Sequence, residues 1–244
     1  MALLHQTLFV LFFPVLTVMV SSLCWLTAGI GKNARFAHKV ECLWARLALF
    51  FAGVRVEAEL DGLNPGMPYV FMANHQSNFD ILVLFSILKH WNMRFVAKES
   101  LFKIPLFGPA MRRTGHIPIL RENSRKALKS LDKAADAASS GVSVLIFPEG
   151  TRADTCERLG DFKIGGMIMA LKCGLPVAPL IVTGTRQILP RGAKIPRPGQ
   201  VKVRALKPFD PSERFTMRDR EKFKDWLKEH MEHAYQESGQ CPAT

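Results

Sequence analysis

Tyr69-Val70-Phe71-Met72-Ala73-Asn74-His75-Gln76-Ser77-Asn78-Phe79-Asp80-Ile81-Leu82-Val83-Leu84-Phe85 is the stretch on which the fold turns. Its first four residues are an apolar run of strand length, and residues 81–85 supply the apolar side of a helix. A histidine and an aspartate five residues apart therefore sit where a strand gives way to a helix, the place where open α/β sheets put their sites. On one continuous helix the two side chains would point about 140° apart, at roughly 100° per residue. They meet only if His75 lies in the turn and Asp80 on the first turn or two of the helix. Asn74, Ser77 and Asn78 favour such turns and caps. An aspartate that accepts a hydrogen bond from one imidazole nitrogen fixes the tautomer and leaves the other nitrogen as a base. That base needs no Ser or Cys nucleophile if it deprotonates a hydroxyl of the substrate. A capped helix start with an incidental histidine fits the same residues, so the wider chain has to decide.

Outward from this stretch, short apolar strands alternate with helices. Residues 54–60 alternate as a half-exposed strand, followed by the turn signals Asp61-Gly62 and Asn64-Pro65-Gly66. Arg94-Phe95-Val96-Ala97 is a short strand ending in Lys98-Glu99. Residues 101–113 are apolar, with Pro105, Gly108 and Pro109, and read as a short helix dipping towards lipid, the wall of an acyl tunnel, or a packed connection. Residues 115–121 read as a strand ending in Arg121, and Asn123 or Ser124 caps a helix running to about Ser139. Residues 142–147 are a buried strand followed by Pro148-Glu149-Gly150-Thr151-Arg152. A helix over residues 167–172 stops at Gly174. Residues 176–182 form a strand whose prolines suggest an edge or irregular position. Residues 190–199 are an exposed basic loop, residues 201–206 a last strand, and Thr216 to Asp219 a capping box opening an amphipathic helix. The alternation predicts an α/β fold: a mixed, mainly parallel sheet flanked by helices.

The N-terminus is of another kind. Residues 6–31 carry no charge, long enough at about 1.5 Å per residue to cross a hydrocarbon layer of about 30 Å. No Lys or Arg precedes the run, which speaks against a signal peptide. Lys32, Arg35 and Lys39 follow it, placing that end on the cytoplasmic side. Residues 43–52 are apolar, too short to span, and suit an interfacial helix with Trp44 at headgroup level and Arg46 snorkelling. The sequence leaves open a true span or a two-helix hairpin within one leaflet. Two units follow: membrane-anchoring helices over 1–53, and an α/β domain with a C-terminal amphipathic helix over 54–244.

The net charge of +12 across 244 residues calls for an anionic partner: nucleic acid, an anionic membrane surface or a phosphorylated substrate. Arginines and aromatics are not interleaved as in RNA-binding proteins, so no nucleic-acid partner is expected. Cys24, Cys42, Cys156, Cys173 and Cys241 are scattered, with neither metal-ligand spacing nor a disulfide framework, which fits a reducing cytosolic setting. Lys98, Arg121 and Arg152 each follow an apolar strand, so with His75 and Asp80 they make a base beside an anion pocket. Gly150 lets a backbone approach a ligand closely.

Four stretches in order resemble the motifs of the glycerolipid acyltransferases, the family of the bacterial 1-acylglycerol-3-phosphate acyltransferases. They are Asn74-His75-Gln76-Ser77-Asn78-Phe79-Asp80, Gly115-His116-Ile117-Pro118-Ile119-Leu120-Arg121, Phe147-Pro148-Glu149-Gly150-Thr151-Arg152, and Leu175-Pro176-Val177-Ala178-Pro179-Leu180. His116, Pro118 and Ala153 depart mildly from the pattern. The resemblance implies acyl transfer from acyl-CoA or acyl-carrier protein to the sn-2 hydroxyl of 1-acyl-glycerol 3-phosphate (lysophosphatidic acid), without a metal or other cofactor. His75 is then the general base and Asp80 its orienter. Lys98 and Arg152 hold the acceptor phosphate with Arg121 as a third candidate. Glu149 and Gly150 position the glycerol backbone with Thr151 beside them, and Lys163 adds to the anion pocket. It also implies an inner (cytoplasmic) membrane location, with the catalytic domain facing the cytoplasm and anionic lipid as a partner. Lyso-ornithine lipid, glycerol 3-phosphate or another lysophospholipid are rival acceptors, and a lipid-binding scaffold is the rival outside the enzymes.

Overall fold

The computed structural model describes residues 1–30, 32–119 and 124–239. In chain order the elements are α1 (Ala2–Thr27), α2 (Arg35–Ala52), β1 (Val54–Glu59), β2 (Val70–Ala73), α3 (Phe79–Ile87), β3 (Met93–Lys98), α4 (Phe107–Arg113) and β4 (Ile117–Ile119). There follow α5 (Ser124–Ser139), β5 (Ser143–Ile146), α6 (Ile164–Cys173), β6 (Val177–Thr183), α7 (Thr185–Ile188), β7 (Gly199–Ala205) and α8 (Arg220–Glu237). The seven strands form one sheet in the order β1-β7-β6-β2-β5-β3-β4. All neighbours pair in parallel except β6 with β7, so β1 and β7 run against the other five. The α/β reading, with a mixed and mainly parallel sheet, holds.

The strand β2 is buried at every position because the sheet is covered on both faces, as parallel sheets are. Its side chains alternate. Phe71 and Ala73 join a core with residues of α2 and α3, whereas Val70 and Met72 join a second core under α5, α6 and α8. The carboxyl ends of β2, β3, β4, β5 and β6 share one edge of the sheet, which gathers the polar strand ends the sequence had placed far apart.

Two expectations are corrected. β6 is interior, between β7 and β2, so of the edge and irregular positions that its prolines suggested, the edge is excluded and the irregular one is found. Its Pro179 is tolerated because the ladder to β7 breaks beside it. Val177 bridges Phe209 and Leu180 pairs with Ala205, a one-residue slip, and Pro179 only accepts, from Leu206 N–H at 2.9 Å. Cys156 is disulfide-bonded, whereas Cys24, Cys42 and Cys173 are free and buried. The capping box forms as expected, with Thr216 and Asp219 exchanging side-chain and backbone bonds.

The helices α1 and α2 are not detached from the domain. α1 lies along α2 and α4, and α2 lies on α3. Phe9, Ala45, Ala48 and Leu49 belong to the same core as Phe71 and Leu145. The outer side of α1 remains apolar and exposed at Leu11, Val15, Val18 and Met19, and by length and composition α1 is a candidate membrane span.

Candidate active site

His75 sits in the turn after β2, and Asp80 is the second residue of α3. His75 Nδ1 lies 2.7 Å from Asp80 Oδ2. That oxygen also accepts from the backbone N–H groups of Gln76 (2.7 Å) and Ser77 (2.9 Å), and the Thr185 hydroxyl donates to Oδ1. Of the turn and cap residues, Ser77 accepts from the Phe79 N–H at 3.2 Å at the start of α3, whereas Asn78 makes no side-chain cap bond; Asp80 closes the turn before the helix. Three donors besides the imidazole already face this fully buried side chain, an all-acceptor arrangement, so Nδ1 is the ring nitrogen that donates to Asp80 and Nε2 keeps its lone pair. Nε2 has no partner among the described residues. The ring is fixed from the side by Phe147, stacked at 4.0 Å between centroids and 5° between planes.

The turn itself is tied down. The Asn74 amide donates to Val182 O (2.9 Å) and accepts from Val182 N–H (2.7 Å), locking it to β6. The Ser77 hydroxyl donates to Leu189 O at 2.8 Å. Over His75 passes the loop that follows β5. Ala153 N–H donates to His75 O at 2.8 Å, and the Arg186 guanidinium holds the Ala153 and Asp154 carbonyls.

Glu149 is not where it was expected. It is 2% exposed, and both carboxylate oxygens face backbone donors: His75 N–H at 2.6 Å and Gly160 N–H at 2.9 Å. It clamps the loop to the base and offers no free oxygen to a glycerol. Burial pushes its carboxyl up to about 7, against the pull of those two N–H groups. Gly160 is required for this contact, since a Cβ there would stand 2.4 Å from Glu149 Oε2.

The cations gather at the same edge without touching the pair. Lys98 ends β3 and is exposed, Arg152 is half-buried with no ion pair among the described residues, Thr151 is exposed, and Gly150 turns with φ +72°. Lys163 is exposed at the start of α6. Arg121 lies outside the described residues. No group of three or more His, Cys, Asp or Glu side chains able to hold a metal occurs among the described residues. Thr185, Arg186 and Gly160 were missed, because nothing in their own neighbourhood marks them; their partners are far away in sequence.

Beside the site, an apolar cavity opens between α1, α2, α3 and α4, lined among others by Val20, Ile81, Phe85, Phe95, Phe107 and Met111. Phe95 connects it to the base, since its ring meets Phe147 edge-on at 5.6 Å and Phe147 stacks on His75. At another part of the cavity wall, His116 Nε2 donates to Glu41 Oε1 at 2.9 Å. Burial opposes the charge on Glu41, but the imidazoles of His116 and His38 outweigh it and hold the carboxyl below the usual range.

Comparison with known proteins bears on this arrangement. The acyltransferase family model matches residues 55–183. A 1-acyl-sn-glycerol-3-phosphate acyltransferase of Chlamydomonas reinhardtii is 37% identical over 190 residues, covering 77% of this chain and 56% of that protein. One from Salmonella typhimurium is 33% identical over 183 residues, covering 74% of this chain and 71% of that protein. The chain spans about half the length of the plant and algal relatives it matches. The crystal structure of the 1-acyl-sn-glycerophosphate acyltransferase PlsC from Thermotoga maritima superposes with a TM-score of 0.82 over 100% of this chain and 98% of that one, at 24% identity, so it shares the fold. With the family model matching more than half of its length and a bacterial relative covered over more than two thirds, this chain belongs to the acyltransferase family.

Proposed function

We propose that the chain moves a fatty acyl group from acyl-CoA or acyl-carrier protein to the sn-2 hydroxyl of 1-acyl-glycerol 3-phosphate, giving phosphatidic acid. The observation that carries this is the unpartnered Nε2 of His75, whose other nitrogen is held by a buried carboxylate. Nε2 takes the proton of the acceptor hydroxyl as its oxygen attacks the thioester carbonyl. The carbon–sulfur bond then breaks, and the imidazolium returns the proton to the leaving thiolate. Asp80 remains ionised and stabilises the imidazolium in between. The thioester is already activated, so positioning plus a base suffice, and base catalysis supplies on the order of 10²–10⁴-fold.

Lys98 and Arg152 hold the acceptor phosphate, with Arg121 as a third cation and Lys163 at the periphery. Gly150 gives the glycerol close backbone approach, and Thr151 lies next to it. The apolar cavity takes an acyl chain. The relatives' names point to the same acceptor, and the cationic edge suits a phosphomonoester better than a zwitterionic lyso-lipid.

Residues 1–53 serve as the anchor of the domain over 54–244, as a hairpin in one leaflet of the inner membrane with the sheet on the cytoplasmic side. A path for α1 straight across the bilayer would carry the charges of α2, among them Arg35, Lys39, Glu41 and Arg46, into hydrocarbon along with it. The test is transfer of labelled acyl groups by the full chain in mixed micelles, from both donors to lysophosphatidic acid, glycerol 3-phosphate and lyso-ornithine lipid. Labelled phosphatidic acid as the main product supports the reading. Transfer to the ornithine lipid alone, or to none of them, overturns it.

A further inference from the structure

The segment joining β3 to α4 contains a turn that is strained and exposed at once. Leu106 has φ +60° and ψ −51°, the centre of a γ-turn closed by Phe107 N–H donating to Pro105 O at 2.7 Å. This form of γ-turn is rare and unfavourable for a residue with a side chain. Glycine would relax it, yet the position holds a leucine, and that leucine is 53% exposed next to an Ile104 that is 44% exposed. The turn is forced outward by what lies behind it. Gly108 packs so closely on the preceding helical turn that a Cβ would stand 2.2 Å from Phe102 O, and Phe102 is buried. Backbone strain persists where the surroundings impose it, and it collects at functional surfaces.

The neighbours of the turn indicate what covers it. α4 packs on α1, and the Arg113 guanidinium lies over the Trp25 ring of α1 at 4.6 Å. Phe107, next to Leu106, meets Trp44 of α2 at 6.4 Å between centroids. The turn therefore extends the uncharged, exposed side of α1. Lys103 precedes the turn and Arg113 ends the helix that follows it, both as exposed cations. The inner side of the same segment, at Leu101, Phe107 and Met111, lines the apolar cavity.

We propose that the Ile104–Leu106 turn inserts into the hydrocarbon of an anionic bilayer leaflet, as an entry point separate from α1, and seats the cavity against lipid. Lys103 and Arg113 stay at headgroup level, where each cation is drawn to anionic lipid. Insertion itself does not depend on the acyl-transfer reading; only its effect on turnover rests on that reading.

Three variants of the full chain test this in nanodiscs of phosphatidylglycerol and phosphatidylethanolamine containing nitroxide-labelled acyl chains. A fluorophore on Leu106→Cys is expected to be blue-shifted and quenched by the nitroxide, while the same fluorophore on Met217→Cys, exposed at the start of the C-terminal helix, is not. Equal, weak quenching at both positions overturns the proposal. Leu106→Gly removes strain and apolar side chain together. It is expected to leave Tm unchanged or higher and to lower turnover of a bilayer-borne acceptor several-fold, with no loss on a short-chain, water-soluble acceptor. A lower Tm, or equal turnover on bilayers where the parent protein is active, makes Leu106 a packing residue and overturns the proposal. Quenching at Leu106 in a protein that acylates nothing leaves the insertion standing and rejects the acyl-transfer reading.

Discussion

Among the described residues, two histidine–carboxylate pairs lie within 3 Å, at nearly the same distance, and they are built for opposite ends. His75 meets Asp80 at 2.7 Å, and His116 meets Glu41 at 2.9 Å. In the second pair the remaining nitrogen is also taken: His116 Nδ1 accepts from Phe95 N–H at 3.0 Å, so both sides of the ring are committed to holding β3 and α2. In the first pair the remaining nitrogen has no partner among the described residues, and the carboxylate behind it is saturated by Thr185, Gln76 and Ser77. A short imidazole–carboxylate distance is thus not what marks a base. The mark is the vacancy on the far nitrogen, together with a partner too well satisfied to move.

That contrast can be broken by substitution, starting with the largest effect. His75→Ala should cost on the order of 10²–10⁴-fold in acyl transfer with Tm little changed, measured as labelled product per folded protein. His116→Ala should do the reverse. It leaves the buried Glu41 carboxylate with only the more distant His38 imidazole, at 3.7 Å, so the fold loses roughly 3–5 kcal/mol, read by denaturant melts, while the surviving folded enzyme keeps most of its kcat. If the two variants behave alike, the distinction between the pairs fails.

Glu149 gives an intermediate case, because it acts on the base through the backbone. Glu149→Gln turns an amide NH2 against one of two N–H donors, an unsatisfied contact of about 1–3 kcal/mol. The expected result is a kcat loss of roughly tenfold or more with both KM values unchanged. Raised KM for the acceptor would instead put Glu149 on the substrate. The pH dependence has a definite sign. Burial pushes the carboxyl up to about 7 in the fold, against an ordinary 4.5. The folded state therefore holds this proton more tightly, and the stability it contributes is fully present below about pH 4.5 and lost as pH rises through about 7. Only the ionised form accepts both N–H groups, so activity should rise over the range in which this part of the stability falls. Thermal melts of wild type and Glu149→Gln across that range check it; the variant should lack the slope. The smallest effect is expected at the periphery. Arg152→Ala should raise the acceptor KM several-fold and leave the donor KM nearly unchanged in steady-state assays.

Much of this was legible in the sequence because the signals were local. The strand, turn and helix around residues 69–85 follow from an apolar run, turn-forming polar residues and a second apolar run. The His75–Asp80 contact follows from their spacing across that boundary. What was not legible depends on remote partners. Pro179 reads as an edge or an irregular residue alike until the slip between Val177–Phe209 and Leu180–Ala205 is seen to spare it an N–H inside the sheet. Glu149 reads as a ligand for substrate until His75 N–H and Gly160 N–H are seen to occupy it. Thr185 reads as an ordinary residue after a strand, although its hydroxyl completes the shell of Asp80. Nor does the sequence show that α2, with its charges, lies on α3 and shares the core of the sheet.

The most direct test of the vacancy on His75 is the ¹⁵N spectrum of the imidazoles in the full-length protein at neutral pH, with and without lysophosphatidic acid. Opposite tautomers are expected: His75 protonated at Nδ1 with a lone pair on Nε2 that shifts when acceptor is added, and His116 protonated at Nε2 and indifferent to acceptor. His75 carrying its proton on Nε2, or a free Nε2 that ignores the acceptor, would contradict this.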